Sequence, residues 1–176
     1  MRSALLSLVL AGYSAAAFAD CVADAARYHG ISVVLMQAIV MQESSGNPSA
    51  LNCGNGNKTC DYGLTQTNSI HLKRLAGYGA SPNDLFDPCV SAYIGAWILS
   101  ENFARLGVTW DAVGAYNAVT PSKRQRYARE VAAKVEAIKA GRLRPPVFVS
   151  GVKPDAPART PAVDSHTSPS PIAKKP

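Results

Sequence analysis

Glu43 is the residue of this sequence that is best placed to act as an acid. A nearly continuous apolar run from Val33 precedes it, and no Lys or Arg lies within ten residues on either side. Desolvation by apolar neighbours and the negative end of the predicted helix both favour the neutral carboxyl group. Such a group can protonate a leaving oxygen near neutral pH. Taken alone, the same pattern also fits an ordinary exposed glutamate at a helix end.

Two later segments carry side chains that suit a sugar ligand. Residues 62–68 have the sequence YGLTQTN, which places a glycine beside several amide and hydroxyl groups. Residues 115–118 have the sequence AYNA, in which the Tyr116 ring suits sugar C–H groups and its hydroxyl can reach a carboxyl group. Sugars need neutral hydrogen-bond partners, and glycine lets a bulky ring approach the backbone. Turn chemistry and helix capping explain each segment equally well when it is considered alone.

Together with Glu43, these segments form an ordered set of motifs. The set consists of Glu43-Ser44-Ser45-Gly46-Asn47-Pro48, Gly63-Leu64-Thr65-Gln66, Ala115-Tyr116-Asn117, and Tyr127 in the last predicted helix. It resembles the lytic transglycosylases of the soluble, goose-lysozyme-like type over about residues 20–132. Two departures bear on substrate contacts: Thr65 stands where that family usually has Met, and residues 52–61 carry an extra cysteine pair.

The resemblance extends to the small specialised members that accompany secretion, conjugation or pilus machines. Three features carry it: Cys21 soon after the N-terminal apolar stretch, Leu85-Phe86-Asp87-Pro88-Cys89, and Gly95-Ala96-Trp97-Ile98-Leu99. It implies that components of such an envelope-spanning machine are partners. It also supports a disulfide between Cys21 and Cys89.

The resemblance implies cleavage of the β-1,4 bond between N-acetylmuramic acid and N-acetylglucosamine in peptidoglycan. Glu43 would protonate the glycosidic oxygen, assisted by the muramoyl N-acetyl group. It would then act as a base toward that sugar's own 6-hydroxyl, leaving a 1,6-anhydromuramoyl end. The residues expected to bind substrate are Ser45, Thr65, Gln66, Tyr116, Asn117 and Tyr127. No metal, nucleotide or other cofactor is indicated.

Two other functions stay open. The first is a muramidase of the lysozyme type, which hydrolyses the same bond with two carboxylates placed across it. Asp61 is the nearest candidate for a second carboxylate, although a role in its own loop suits it better. The second is a non-catalytic component that binds the wall during assembly of a machine.

The two ends of the chain are predicted to lie outside the folded domain. Residues 1–19 have a positive start, an apolar stretch and an Ala-Phe-Ala site, which predicts a signal peptide cleaved after Ala19 and a periplasmic protein. An uncleaved membrane anchor is the weaker alternative, because the stretch is short and lacks a stop-transfer charge cluster. Residues 145–176 contain eight prolines, which predicts a disordered tail. The catalytic domain is therefore expected at residues 20–144.

The four cysteines suggest two disulfides in an oxidising compartment. Cys53 and Cys60 bracket a turn-rich loop that can close locally, which leaves Cys21 to pair with Cys89. A zinc site is the alternative interpretation, but no pair has Cys-x-x-Cys spacing and the histidines are scattered.

Positive charge is concentrated in one segment of the chain. Residues 123–144 carry eight Lys or Arg and two Glu, whereas residues 20–122 carry five Lys or Arg and eight Asp or Glu. A basic segment can favour nucleic acid, anionic lipid or an acidic wall polymer. We expect no nucleic-acid partner for an exported protein, and a solvated face of the last helix explains the charges adequately.

The elements that must position these residues are mainly helical. Apolar periodicity and capping residues predict helices near residues 20–29, 33–44, 70–75, 88–106, 110–116 and 121–139. The helix from Val33 is nearly all apolar and should be central and buried. Strand signals are confined to residues 52–66, where one small β-hairpin would fit. The fold class is therefore mainly α, with one compact domain.

Overall fold

A computed structural model describes residues 20–149 as six α-helices and three very short strands, which confirms the mainly α fold. The helices are α1 (Cys21–Tyr28), α2 (Val33–Glu43), α3 (Leu72–Ala76), α4 (Pro88–Leu106), α5 (Trp110–Gly114) and α6 (Pro121–Lys139). Two 3₁₀ turns, Ser69–His71 and Pro82–Phe86, flank α3. None of the helices in this described part is long and apolar enough to cross a membrane. The predicted signal peptide and most of the predicted tail lie outside the described residues.

Helix α2 lies in the centre of the domain, as its apolar sequence predicts. Met36, Ala38, Ile39 and Val40 are buried, and the helix packs mainly against α6 and α1. Since it contributes no charged residue before Glu43, its surface can be surrounded on nearly all sides. The central helix therefore runs through the core and places Glu43 at its end in a half-buried position.

Capping residues fix several helix boundaries. The Asp87 carboxylate accepts hydrogen bonds from the backbone N–H groups of Cys89 and Val90 at 2.8 and 2.9 Å, and thus begins α4. Gly107 ends α4 with a positive φ of 72°, a conformation that glycine adopts without strain. Ser32 precedes α2 as predicted, but its side chain accepts no capping hydrogen bond. Helix α5 is shorter than expected and ends at Gly114.

The strands form one small antiparallel sheet in the order β1 (Leu51–Asn52), β2 (Asp61–Tyr62) and β3 (Thr67–Asn68). Leu51 pairs with Tyr62, and Tyr62 pairs with Thr67. The predicted hairpin corresponds to β1 and β2, and β3 is an addition just beyond the predicted segment. A tight turn that includes Gly63 at φ 71° brings β3 back against β2.

Both predicted disulfides are present. Cys21–Cys89 joins the start of α1 to the first turn of α4, and Cys53–Cys60 closes the loop between β1 and β2. The zinc alternative is wrong, because all four cysteines are bonded as disulfides and none is left as a thiolate ligand.

The first residues of the predicted tail pack against the domain. Val149 forms an antiparallel bridge with Asp20, and the Phe148 ring packs against the hydrophobic core. Residues 145–149 thus belong with the folded part of the chain, although their composition predicts a disordered segment. Their contacts with the N-terminal end of α1 stabilise a path that the local sequence alone does not specify.

Candidate active site

Glu43 is the last residue of α2 and receives a hydrogen bond from the Tyr127 hydroxyl, which binds its Oε1. Tyr127 lies on α6 and is only 4% exposed, so this hydroxyl is held in place by the packing of α2 against α6. The sequence suggested that the Tyr116 hydroxyl could reach a carboxyl group, but the structure gives this contact to Tyr127. A buried donor therefore fixes one oxygen of the carboxyl group of Glu43.

The two tyrosines of the site stack on each other. The rings of Tyr116 and Tyr127 are 6.5 Å apart with an interplanar angle of 17°. Burial raises the pKa of the Tyr127 phenol well above its ordinary value, and the negative charge of Glu43 raises it further. Burial, and then the charge of Glu43, likewise raise the pKa of Tyr116. Both phenols are therefore neutral hydrogen-bond donors over the whole physiological pH range.

Tyr116 connects the end of α5 to the turn that follows β2. Its hydroxyl donates a hydrogen bond to the backbone carbonyl of Thr65 at 3.0 Å. Nearby, the Ser44 hydroxyl donates to the backbone carbonyl of Leu64 at 2.7 Å. Ser44 and Tyr116 thus bind neighbouring backbone carbonyls of the same turn. This arrangement connects the Gly63-Leu64-Thr65-Gln66 segment to the end of α2.

The side chain of Thr65 lies in the interior and not on a surface that a sugar could reach. It is fully buried, and its hydroxyl lies 2.9 Å from the carbonyl of Ser91 and 3.1 Å from the Ser91 hydroxyl. Gly95 on the same helix leaves room for it, since a Cβ there would come within 2.7 Å of the Thr65 side chain. A Met would not fit this polar niche, so the departure from the family pattern accompanies a hydrogen-bonded contact with α4.

Gln66 is half-buried and adopts a positive φ of 48°. Its side-chain amide donates to the carbonyls of Ala50 and Gly63 at 3.2 and 2.9 Å. These bonds hold the side chain across the sheet and orient its amide group. The predicted site residue therefore also has a structural role, which the sequence motif did not indicate.

Ser45 and Asn117 are both exposed. Ser45 directly follows the last turn of α2 and has a positive φ of 54°, whereas Asn117 follows Tyr116 beyond the end of α5. The structure thus brings Glu43, Tyr116, Tyr127 and the Thr65 backbone together. Ser45 and Asn117, which follow Glu43 and Tyr116 in the sequence, lie at the surface.

Asp61 is engaged within its own loop. Its Oδ1 accepts a hydrogen bond from the Asn68 amide at 2.5 Å, and its Oδ2 accepts one from the Asn55 amide at 2.8 Å. These bonds connect β2 to β3 and to the disulfide-closed loop. The carboxylate is therefore occupied by two amide donors, which fits the loop role expected for it.

Residues 20–138 match the sequence model of the family described as "Transglycosylase SLT domain". The chain belongs to this family. It is therefore a lytic transglycosylase, a peptidoglycan-cleaving lyase, which confirms the resemblance and the enzyme class predicted from the motifs.

Curated relatives of this transglycosylase include proteins of Salmonella, Shigella and Escherichia coli. The "Invasion protein IagB" of Salmonella typhimurium (strain LT2) is 43% identical over 120 residues, which are 65% of this chain and 74% of the relative. "Protein IpgF" of Shigella flexneri is 41% identical over 109 residues, 61% of this chain and 71% of the relative. An "X polypeptide" of Escherichia coli is 41% identical over 114 residues, 62% of this chain and 66% of the relative.

Two residues of the transglycosylase site were not singled out from the sequence. Ser44 belongs to the Glu-Ser motif, and its hydrogen bond to the Leu64 carbonyl could have been suspected from that position. Ser91 carries no motif, and only the approach of α4 to the turn after β2 reveals its contact with Thr65. Such a contact joins residues 26 positions apart, and local sequence gives no signal for it.

Proposed function

We propose that Glu43 is both the acid and the base in the cleavage of the β-1,4 bond between N-acetylmuramic acid and N-acetylglucosamine. It protonates the glycosidic oxygen and then removes a proton from the 6-hydroxyl of the muramoyl sugar. The bond to the leaving sugar breaks, and the 6-oxygen forms a new bond to C1. Atoms balance without water, and the product is a 1,6-anhydromuramoyl end.

The observation that carries this proposal is the hydrogen bond from Tyr127 to Glu43. General acid catalysis requires a carboxyl group held within reach of one substrate oxygen, because a small misplacement lowers the rate strongly. A buried phenol that stays protonated can hold the carboxyl group in one orientation in both of its protonation states. Tyr116, stacked on Tyr127, limits the motion of that phenol.

The engagement of Asp61 supports an internal nucleophile. A hydrolase of the lysozyme type needs a second carboxylate across the scissile bond, either to bind the intermediate or to activate water. Asp61 is the nearest candidate in the sequence, and two amide donors already occupy its oxygens. The substrate's own N-acetyl and 6-hydroxyl groups supply what such a carboxylate would otherwise provide.

The decisive experiment compares Glu43→Gln with wild type in the mature chain, residues 20–176. Soluble glycan strands are digested, and the products are identified by mass spectrometry. We expect wild type to release ends lighter by one water than reducing ends, and Glu43→Gln to release almost none. Glu136→Gln, an exposed carboxylate of α6 paired with Lys139, serves as the matched control and should behave as wild type.

Three outcomes would contradict the proposal. Full activity in Glu43→Gln would remove Glu43 as the acid. Reducing ends from wild type would favour the lysozyme-type muramidase. A wild-type protein that binds peptidoglycan without cleaving it would restore the non-catalytic alternative.

The substrate-binding roles of the other site residues are part of the same proposal. Gln66, Tyr116 and Tyr127 support the turn and the acid, while Ser45 and Asn117 present exposed polar groups beside them. For Thr65 we propose only that its backbone takes part, because its side chain is buried. Asn117→Ala should raise KM on glycan strands more than it lowers kcat; an unchanged KM would exclude Asn117 from the binding surface.

We also propose that the protein works in the periplasm and opens the wall locally for a secretion, conjugation or pilus machine. Cleavage after Ala19 would leave a mature chain that begins next to Cys21, whose disulfide needs an oxidising compartment. The name of the Salmonella relative, an invasion protein, supports a role beside such a specialised machine.

Two measurements test this setting. The intact mass of the exported protein should correspond to a chain that begins at Asp20 and contains two disulfides; a retained N-terminus would contradict it. In the native strain, Glu43→Gln at the natural locus should reduce output of the machine without slowing growth. Equal output of the machine in the wild-type and Glu43→Gln strains would exclude the proposed role in opening the wall for it.

A further inference from the structure

The chain returns to the active site after α6. Gly141, at φ 68°, reverses the direction of the chain beyond Lys139, and backbone bonds from Arg142 and Leu143 to Ala137 close this turn. The next residues, 145–149, run along the domain toward the start of α1, and we call them the C-terminal strap.

The strap is fixed at its far end. The backbone N–H of Cys21 donates to the Phe148 carbonyl at 2.8 Å, and the N–H of Phe148 lies 3.4 Å from the Asp20 carboxylate. Asp20 also accepts a hydrogen bond from Val22 as the cap of α1, and Cys21 is bonded to Cys89. The end of the strap is thus attached to one of the most constrained points of the domain.

Pro146, near the start of the strap, packs directly against the turn that follows Glu43. A Cβ placed on Gly46 would lie only 2.6 and 2.9 Å from the Cγ and Cδ atoms of Pro146. Ser45 and Gly46 both have positive φ, at 54° and 81°, so this turn consists of two consecutive left-handed residues. Since such a conformation is costly for Ser45, surrounding contacts must hold it in place.

We propose that Pro146 is a positioning residue for Glu43. Its ring covers Gly46 and prevents Ser45 and Gly46 from leaving their left-handed conformation. This turn holds the last residues of α2 in place. The contact at Gly46 reaches Glu43 through two intervening residues, Ser44 and Ser45, and Pro146 itself touches neither the carboxyl group nor the substrate. The inference rests on the proposed role of Glu43.

A purely stabilising role for Pro146 would have different consequences. Loss of packing in the strap lowers the melting temperature and leaves kcat unchanged well below it. Loss of positioning lowers kcat at every temperature and leaves KM unchanged, because binding of the glycan does not depend on the exact place of the acid. The split between kcat and KM therefore separates the two roles.

The test uses Pro146→Ala in the mature chain, with kcat and KM measured on soluble glycan strands well below the melting temperature. We expect kcat to fall about three- to tenfold with an unchanged KM, since small displacements of a catalytic group reduce rates by up to about a hundredfold. Val147→Ala is the matched control, because this side chain of the same strap is 68% exposed. It should keep the wild-type kcat.

Pro146→Val separates the contact from chain stiffness. Both Val and Ala remove the ring that restrains the backbone, but Val retains two γ-carbons over Gly46. We expect Val to restore at least half of the kcat lost with Ala. Equal kcat in the Ala and Val variants, or a wild-type kcat in Pro146→Ala, would overturn the inference.

Failure of this inference and failure of the proposed function give different results. If Glu43→Gln remains as active as wild type, the role of Glu43 is wrong and the positioning argument falls with it. If Glu43→Gln is inactive while Pro146→Ala keeps the wild-type kcat, only the positioning role is overturned.

Discussion

Tyr127 donates a hydrogen bond to Glu43 although 84 residues separate them in the sequence. The contact joins the central helix α2 to the last helix α6, and these two helices pack against each other. It makes the position of the Glu43 carboxyl group depend on the packing of the two helices. The placement of this carboxyl group is therefore a property of the whole domain and not of the local Glu-Ser motif.

The first prediction concerns the hydroxyl that makes this contact. In Tyr127→Phe the ring still fills its buried site, but the donor to Glu43 is lost. We expect kcat to fall at least tenfold, because a hydrogen bond to a charged group contributes about 1.5–3 kcal/mol. Kinetics on glycan strands provide the measurement. Tyr28→Phe, on a half-exposed ring of α1, is the control and should leave kcat unchanged; equal kcat in both variants would refute the role of the hydroxyl.

The second prediction concerns alkaline stability. Burial and the charge of Glu43 raise the pKa of Tyr127 and also that of Tyr116. The folded protein therefore keeps both phenol protons at a pH above ~10, where the unfolded chain loses them. This stabilisation is fully present below the unfolded pKa and is lost as pH rises toward the folded pKa. The free energy of unfolding should fall by up to about 1.4 kcal/mol per pH unit for each tyrosine.

Urea denaturation between neutral pH and pH ~11 measures this slope. Tyr127→Phe should make the slope shallower by about the contribution of one group, because the variant has no phenol to titrate. A slope in Tyr127→Phe as steep as in wild type would show that the burial of this phenol does not govern alkaline unfolding.

The main helices around the site could be predicted because their sequence signals are local. The apolar run from Val33 predicts a buried helix, and Asp87-Pro88 marks the beginning of α4. Gly107, at positive φ, marks its end. Each of these signals depends on residues within one or two helical turns, and tertiary contacts reinforce them.

Features set by distant contacts could not be predicted. The third strand has only two residues, and it pairs with β2, where the Asn68 amide also donates a hydrogen bond to Asp61. The burial of Thr65 depends on the space left by Gly95 of α4. The strap looks disordered by composition, yet its backbone bonds to the start of α1 give it a defined path. In each case the partner lies on another element, and a local pattern carries no information about it.

The third prediction separates one catalytic carboxylate from two. In Asp61→Asn the loop loses an acceptor for the amides of Asn55 or Asn68, which should lower the free energy of unfolding by about 1–2 kcal/mol. If Glu43 acts alone, kcat should stay within about fivefold of wild type, whereas loss of a second catalytic carboxylate would cost about a hundredfold or more. Kinetics and urea denaturation of the same variant measure the two effects. A large loss of kcat in a folded variant would favour the two-carboxylate mechanism.

The fourth prediction tests whether Thr65 is a structural or a substrate-binding residue. In Thr65→Val the shape of the side chain is kept, but the hydroxyl that lies 2.9 Å from the Ser91 carbonyl is lost inside the protein. The free energy of unfolding should fall by about 1–2 kcal/mol, because a buried polar partner loses its hydrogen bond. KM for glycan strands should not change, since the side chain is fully buried.

Thr120→Val provides the control for this substitution. Thr120 is exposed at the start of α6 and its side chain makes no capping hydrogen bond, so the same change there should alter the free energy of unfolding by less than about 0.5 kcal/mol. If Thr65→Val instead raises KM severalfold and leaves stability unchanged, the glycan must reach this side chain. The turn after β2 would then have to open when substrate binds, because in the folded domain α4 covers the Thr65 hydroxyl.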